Sequence, residues 1–306
     1  MHMACPDTPA ETASRPRRVL VIYNPTAGQW RRRKLAATLR AVAALGCPVT
    51  LHETTHRGDA EATARALTQE RCDVVVAAGG DGTINEVANG LIAAPGPVPP
   101  LAIIPLGTAN VLAQEIGLRG SPAAIAAAIA GGQFLDVHLG LANGRHFIMM
   151  AGVGFDAHVV ANVDLALKRT TGKLAYVWET LSQALRYGFP QCRVTVDGRA
   201  FQAFSVVVCN GRHYGGPFVA APRAQLTEPR FEVCLLKKGG WRHVLRYGLA
   251  LVLGRLHSLP DVRIESGRDV RIEAEDGLPV QGDGDIIAAL PASISVSDKT
   301  VTLVVP

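Results

Sequence analysis

Three glycine-bearing turns and one pair of aspartates carry the residue types that chemistry needs. "GGDGT" (79–83) follows the apolar run "VVVAA" and precedes the helix-like "INEVANGLIAA". A turn of this kind bares backbone N–H groups at a helix start, where glycine admits an anion and the helix end adds favourable partial charge. Gly79, Gly80 and Gly82 give close approach, and Thr83 can cap the helix or donate to a phosphate. Asp81 is the odd member. A carboxylate in a phosphate cradle repels its ligand unless a cation or a donor stands between them, which points to Mg²⁺. The competing reading is an ordinary tight turn with a solvated aspartate.

Two further turns share this logic. "YNPTAGQWRRRK" sets Asn24 and Gly28 ahead of Arg31, Arg32, Arg33 and Lys34, and "IPLGTANVLA" sets Gly107 and Thr108 ahead of another helix. Taken singly, each is also a plain glycine turn. All three follow strands, and ligands of open parallel sheets gather at the carboxyl ends of the strands. Near the C-terminus, "VQGDGDII" (280–287) places Asp283 and Asp285 two residues apart. In extended chain such residues share a face, so the acids would crowd each other and lift one toward use as a base. The alternative is an acidic hairpin turn. "GVGFDA" (152–157) matches G-x-G-x-x-A. It sits among strands with no strand–helix alternation after it, and so reads as a bend in a strand region. No G-x-x-x-x-G-K-[ST] occurs.

The elements that must position these residues fall into two grammars. In the first half, strand-like "RVLVIYNP", "CPVTLHET", "CDVVVAAGG" and "LAIIPLG" alternate with helical stretches at 32–45, 59–71, "INEVANGLIAA", "ANVLAQEIGL" and "SPAAIAAAIAGG". Leu35, Leu39 and Val42 share one helical face, closed by Gly46, and Ser121-Pro122 opens the last helix. That rhythm predicts a parallel sheet covered by helices. From about residue 136 hairpin signals take over: Asn143-Gly144, Asp197-Gly198, and alternating strands in "VRIESGRDVRIEAEDGLPV". Helical inserts interrupt at about 162–187 and 241–256. The expectation is an α/β N-terminal domain followed by a mainly antiparallel β-rich domain.

The bulk numbers agree with a two-domain enzyme. The chain has 306 residues, 48% apolar and 19% charged, with a formal charge of +5. The basic excess suits an anionic ligand or an anionic membrane surface. Aromatics are only 5% and no nucleic-acid motif appears, so nucleic acid is not expected as a partner. Six scattered cysteines without a C-x-x-C pair, and nine histidines without ligand spacing, argue against zinc and against a disulfide framework. A reducing compartment is expected. No stretch of eighteen apolar residues occurs, and residues 1–16, polar and proline-bearing, are expected to be disordered.

Taken together, "NPTAG", "GGDGTINEV", "PLGTANVLA", "AGVGFDA" and "GDGD", in that order, resemble the diacylglycerol kinase catalytic-domain family, distantly akin to NAD kinases and phosphofructokinases. The resemblance runs over about 18–306. It implies a nucleotide domain at 17–135 plus 292–306, and a β-sandwich-like lipid domain at 136–291, with the active site between them. It implies ATP held by Asn24, Pro25, Thr26, Ala27, Gly28, by Gly79, Gly80, Asp81, Gly82, Thr83, Ile84, Asn85, by Thr108, and by Thr54 with Thr55 as the neighbouring candidate. Asp81 would act near the phosphates and Mg²⁺. The family's base is the glutamate of an Asp-Gly-Glu triplet, where this chain has Asp283-Gly284-Asp285 and so a shorter acid. Bacterial relatives place an Asp-Gly at a structural Mg²⁺ site where this chain has Glu228-Pro229. Gln225 and Arg230 would contribute backbone carbonyls there. The resemblance implies ATP- and Mg-dependent phosphorylation of a lipid hydroxyl, diacylglycerol- or sphingoid-like, by Asp285 helped by Asp283. It also implies a cytoplasmic protein peripheral to the inner membrane face, with a homodimer left open. A soluble-substrate kinase of the NAD kinase type and an inactive nucleotide-binding relative are the alternatives.

Overall fold

The computed structural model describes residues 15–25, 29–118, 120–162, 183, 185–274 and 277–306. The valine-rich runs form a parallel sheet because both of its faces are covered. β1 (Val19–Tyr23) lies between β2 (Val49–Glu53) and β3 (Val74–Gly79), and β3 pairs with β4 (Leu101–Pro105), all in parallel. β3 and β4 are buried at every position, as central parallel strands should be, whereas edge strand β2 is half exposed. The crossovers are α1 (Gln29–Ala44), α2 (Asp59–Arg65), α3 (Asp81–Ala93), α4 (Val111–Glu115) and α5 (Pro122–Gly131). Leu35 and Val42 of α1 are buried, and Gly46 takes the left-handed conformation that ends it. The Ser121 hydroxyl accepts from the Ala124 N–H at 3.2 Å and caps α5. Helix α2 is shorter than its expected 59–71. The Ala66 and Leu67 N–H groups reach back to Thr63 and Ala64 carbonyls, a tightening that closes the helix.

In the second half, three hairpins turn on the same chemistry. β5 (Gln133–Ala142) and β6 (Arg145–Phe147) are joined by Asn143-Gly144; β8 (Cys192–Val196) and β9 (Arg199–Ala203) by Asp197-Gly198; and β16 (Pro279–Gly282) and β17 (Asp285–Ala289) by Asp283-Gly284. Each turn pair has positive φ at both residues, from 44° to 91°, the two-residue turn whose twist matches paired strands. β7 (Met150–Val153), β10 (Ser205–Cys209), β13 (Phe231–Leu236) and β14 (Val262–Gly267) complete a six-stranded antiparallel sheet in the order β14-β13-β10-β7-β16-β17.

β15 (Asp269–Glu273), next in sequence after β14, crosses to the other sheet and pairs with β8 and with β18 (Ala292–Val305). The ten-stranded sheet therefore runs β2-β1-β3-β4-β18-β15-β8-β9, with β5 and β6 attached through β18. β18 pairs with β15 at Ala292–Ser295 and meets β4 in parallel at Leu303–Leu101, so one strand belongs to both halves. β11 (His213–Tyr214) and β12 (Phe218–Val219) form a small separate ribbon. Among the described residues, α6 (Phe155–Asn162) packs on β7, β16 and β17 of the six-stranded sheet, and α7 (Trp241–Val252) packs beside β12. "GVGFDA" is thus a strand-to-helix turn rather than a bend within strands: β7 ends at Val153, Gly154 has φ 105°, and α6 follows.

Alternation along β10 shows how the layers join. Val206 and Val208 face the sandwich interior with Phe147, Phe231 and Ile272, while Val207 and Cys209 belong to the core shared with the parallel sheet. The five described cysteines are free and buried, and no described helix is long and apolar enough to cross a membrane.

Candidate active site

The rim is assembled by backbone contact between glycine turns. A Cβ on Gly107 would lie 2.7 Å from the Gly80 Cα, so the turns after β3 and β4 touch only because neither carries a side chain. A Cβ on Gly79 would lie 2.5 Å from the Thr83 hydroxyl, which accepts from the Asn24 side-chain amide at 3.3 Å. The ends of β1, β3 and β4 are thereby drawn into one surface. The cap position Gly80 supplies no side chain to the start of the 13-residue helix α3. Its first-turn N–H groups therefore have no side-chain cap at the rim.

Asp81 faces α4. Its carboxylate accepts from the Val111 N–H at 2.7 Å and from the Asn110 N–H at 3.0 Å. Asn110, in the left-handed region at φ 47°, closes its own loop by exchanging hydrogen bonds with Gly107, 2.7 Å from its N–H and 2.9 Å to its carbonyl. The acid among the glycines therefore clamps two rim turns together. Burial pushes its carboxyl above the usual range, and the two N–H donors pull the other way.

The two aspartates of the last hairpin point apart. The segment is the acidic hairpin turn that the sequence offered as one reading, not the extended pair sharing a face: Asp283 and Gly284 form a left-handed turn between β16 and β17. Asp283 turns inward. It accepts from the N–H groups of Ile148 (2.7 Å), Met149 (2.9 Å) and Met150 (3.2 Å) and from the Asn85 amide (2.8 Å). Buried and committed to these four donors, it holds the hairpin against the strand end before β7 and is not available as a catalytic partner. Burial raises its carboxyl above the ordinary range against the pull of those donors. Asn85 is committed to the same clamp and to the His146 carbonyl, at 3.1 Å. The Ile84 side chain lies in the core, and its N–H bonds the Gly80 carbonyl. Neither residue is placed to hold a nucleotide, as the sequence had led one to expect.

Asp285 turns outward, 39% exposed, over the start of α3. A Cβ on Gly82 would lie 2.8 Å from its Oδ2. The other oxygen pairs with the Arg57 guanidinium at 3.2 Å. Between them opens a pocket of about 290 Å³, lined among others by Arg57, Gly82, Glu86, Arg145, Asp285 and Ile286. A second hollow of about 250 Å³, by Gln191 and Glu273, holds no residue of the rim. Gln281 steadies the hairpin: its carbonyl oxygen accepts from the Gly284 N–H at 3.0 Å, and its amide donates to Asp156 at 3.2 Å. Asp156 is half-buried, desolvation pushes its carboxyl up, and it also accepts from the Tyr214 hydroxyl at 3.3 Å.

The remaining candidates fall as follows. Thr54 is buried at the end of β2, its N–H on the Tyr23 carbonyl at 2.8 Å. Thr55 is engaged by Asp59, through its N–H at 2.7 Å and its hydroxyl at 3.0 Å. Thr108 is exposed and accepts from Arg31 at 3.3 Å. Lys34 donates to the Pro105 carbonyl at 2.9 Å, and burial lowers its ammonium below the usual range. Pro25 stands in the turn after β1, while Thr26, Ala27 and Gly28 lie outside the described residues.

The 225–230 loop does not fit the expected metal. The Glu228 carboxylate pairs with the Arg230 guanidinium at 2.6 Å, and the Gln225 carbonyl accepts the Glu228 N–H at 3.0 Å. An arginine cation takes the charge that a magnesium would neutralise. Arg57, Gln281 and Asn110 escaped the sequence reading. Arg57 alone had a usable signal, a cation directly before the glycine that opens α2.

Comparison with known proteins places this geometry among relatives. Residues 18–142 match the model described as the diacylglycerol kinase catalytic domain, and residues 149–305 match the YegS C-terminal NAD kinase beta sandwich-like domain. A protein named diacylglycerol kinase from Bacillus subtilis (strain 168) is 29% identical over 296 residues, covering 95% of this chain and 97% of its own. One of the same name from Staphylococcus aureus (strain bovine RF122 / ET3-1) is 27% identical over 293 residues, covering 95% and 93%. A crystal structure from Bacillus anthracis str. Sterne, provisionally named a diacylglycerol kinase, superposes with a TM-score of 0.80 at 25% identity, over 98% of this chain and 99% of that one.

Proposed function

The chain belongs to the family that joins a diacylglycerol kinase catalytic domain to a YegS-type C-terminal β-sandwich domain, and on that footing we propose that it is a lipid kinase, transferring the γ-phosphoryl group of ATP to a lipid hydroxyl with Mg²⁺. One observation carries the reading: Asp285, from the far end of the chain, sits over Gly82 at the start of α3. A phosphate-binding rim and a half-exposed carboxylate thus share one pocket. Relatives named diacylglycerol kinase at 27–29% identity support a diacylglycerol-like acceptor, and the sphingoid-like alternative rests on the sequence resemblance alone. In this reading 17–135 with 292–306 handles the nucleotide and 136–291 the lipid, at the cytoplasmic face of a membrane.

In this mechanism the uncapped first turn of α3 receives phosphate oxygens, and the Gly80–Gly107 contact sets the shape of the rim around them. Asn24, Thr54 and Thr108 border the nucleotide. Asp285 accepts the proton of the acceptor hydroxyl while that oxygen attacks the γ-phosphorus, and the β–γ bridging oxygen departs on ADP with the bonding pair. Mg²⁺ usually takes one or two carboxylates plus phosphate oxygens, and no described group of three or more His, Cys, Asp or Glu could hold a metal. Asp81 and Asp285 are the rim carboxylates that would hold a Mg²⁺ carried with the nucleotide, and the ion would neutralise triphosphate charge. Arg57 is 75% exposed, so its pair with Asp285 contributes little stability. A phosphate can draw the guanidinium away and leave Asp285 uncovered for the acceptor.

The test is transfer of labelled phosphate from ATP across a panel of lipids in mixed micelles, with NAD as soluble control. Label in a lipid phosphate is expected. Label on NAD alone, or on nothing, would refute the assignment.

A further inference from the structure

Helix α7 has two apolar faces where a packed surface helix needs one. Its inner side is accounted for. Tyr247 and Ala250 are buried, the Tyr247 hydroxyl donates to Asp261 at 2.6 Å, and Val244 packs with Phe155, Val159, Tyr187 and Phe189. The outer side carries Trp241, Leu245, Leu249 and Val252, spaced four, four and three residues apart, with Leu253 next in line. Leu249 and Leu253 are each 62% exposed and Val252 is 60% exposed. Scattered surface leucines are ordinary, but a continuous stripe of this kind marks an interaction surface.

Charge selects the partner. The segment 237–260 contains no acidic residue, and Lys237, Lys238, Arg242 and Arg255 are exposed along it, while Arg246 pairs with Asp261 just beyond it. The Arg242 guanidinium lies over the Trp241 ring at 5.4 Å, joining the apolar stripe to a cation. An apolar face bordered by arginine and lysine, with an aromatic at its end, is the pattern of a helix lying in the plane of a bilayer interface. The location is suitable. Phe155 and Val159 of α6 join the Val244 cluster, and α6 packs on β16 and β17, the hairpin that carries Asp285.

We propose that the outer face of α7 docks on an anionic lipid surface, seating Trp241, Leu245, Leu249, Val252 and Leu253 among acyl chains with the flanking cations at headgroup phosphates. This rests on the lipid-kinase reading and adds where the enzyme meets its substrate's membrane.

The experiment is co-sedimentation of the full chain with phosphatidylcholine vesicles, with and without phosphatidylglycerol, in the absence of ATP. Wild type should bind only the anionic vesicles. The variant Leu249→Asp/Leu253→Asp should bind them about tenfold or more weakly, since each leucine removes substantial apolar surface from water. In a Trp30→Phe/Trp178→Phe background, acyl-brominated lipid should quench Trp241. Equal binding by wild type and variant, or no binding by wild type, would overturn the proposal. So would light scattering that shows α7 joining two copies while vesicle binding survives the substitutions. Transfer to lipid in detergent micelles should be unchanged in the variant. Loss of transfer in the wild type would count against the kinase reading, whereas vesicle binding is measured without it.

Discussion

At the scale of single residues, two aspartates separated by one glycine have opposite fates. Asp283 satisfies three backbone N–H groups and the Asn85 amide. Asp285 stands half exposed beside Arg57. Their stabilities should separate accordingly. Asp283→Ala leaves buried donors unmatched and should destabilise the fold by about 3 kcal/mol or more. Asp285→Ala should change stability by less than about 1 kcal/mol while removing activity. Urea unfolding of both variants measures this, and equal losses would contradict the assignment. The sequence showed that these residues matter but not how they divide. Left-handed turn geometry reverses the direction of a side chain, and a pattern read as extended chain cannot register that.

At the scale of elements, α2 illustrates a clamp with a pH signature. The Thr55 N–H brings the Asp59 carboxyl down, and with the Thr55 hydroxyl and His52 it outweighs desolvation to leave the carboxyl at about 2. A carboxylate depressed in the folded state lends stability above its unfolded value near 3.8, and that contribution is lost as pH falls through about 2. Thermal unfolding of Asp59→Asn against wild type should therefore show a gap at neutral pH that closes between about pH 4 and pH 2. A gap that persists undiminished at pH 2 would show that the clamp is not electrostatic. Element existence was largely legible, because buried β3 and β4 are continuous apolar runs and the hairpins carry Asn-Gly, Asp-Gly or Asp-Gly turns. The length of α2 was not: Ala66 and Leu67 continue the helical pattern, but their N–H groups reach back to Thr63 and Ala64 carbonyls three residues earlier.

At the scale of the molecule, β18 joins the parallel and antiparallel halves, pairing with β15 at one end and β4 at the other. That continuity brings residue 285 over residue 82. The rim motifs were legible because three polar glycine turns follow parallel strands on one rim, where any one alone reads as an ordinary turn. Their partners were not, since Arg57, Asn110 and Gln281 acquire roles only when loops distant in sequence meet. The same continuity makes the pocket a property of both halves, and the proposed mechanism assigns the phosphate groups to one and the proton acceptor to the other.

Single-turnover phosphoryl transfer by Asp285→Asn, with ATP affinity measured in parallel, tests this convergence most directly. The account predicts ATP affinity within about threefold of wild type and transfer to lipid slowed by about a hundredfold or more. An unchanged transfer rate would place the base elsewhere and contradict it.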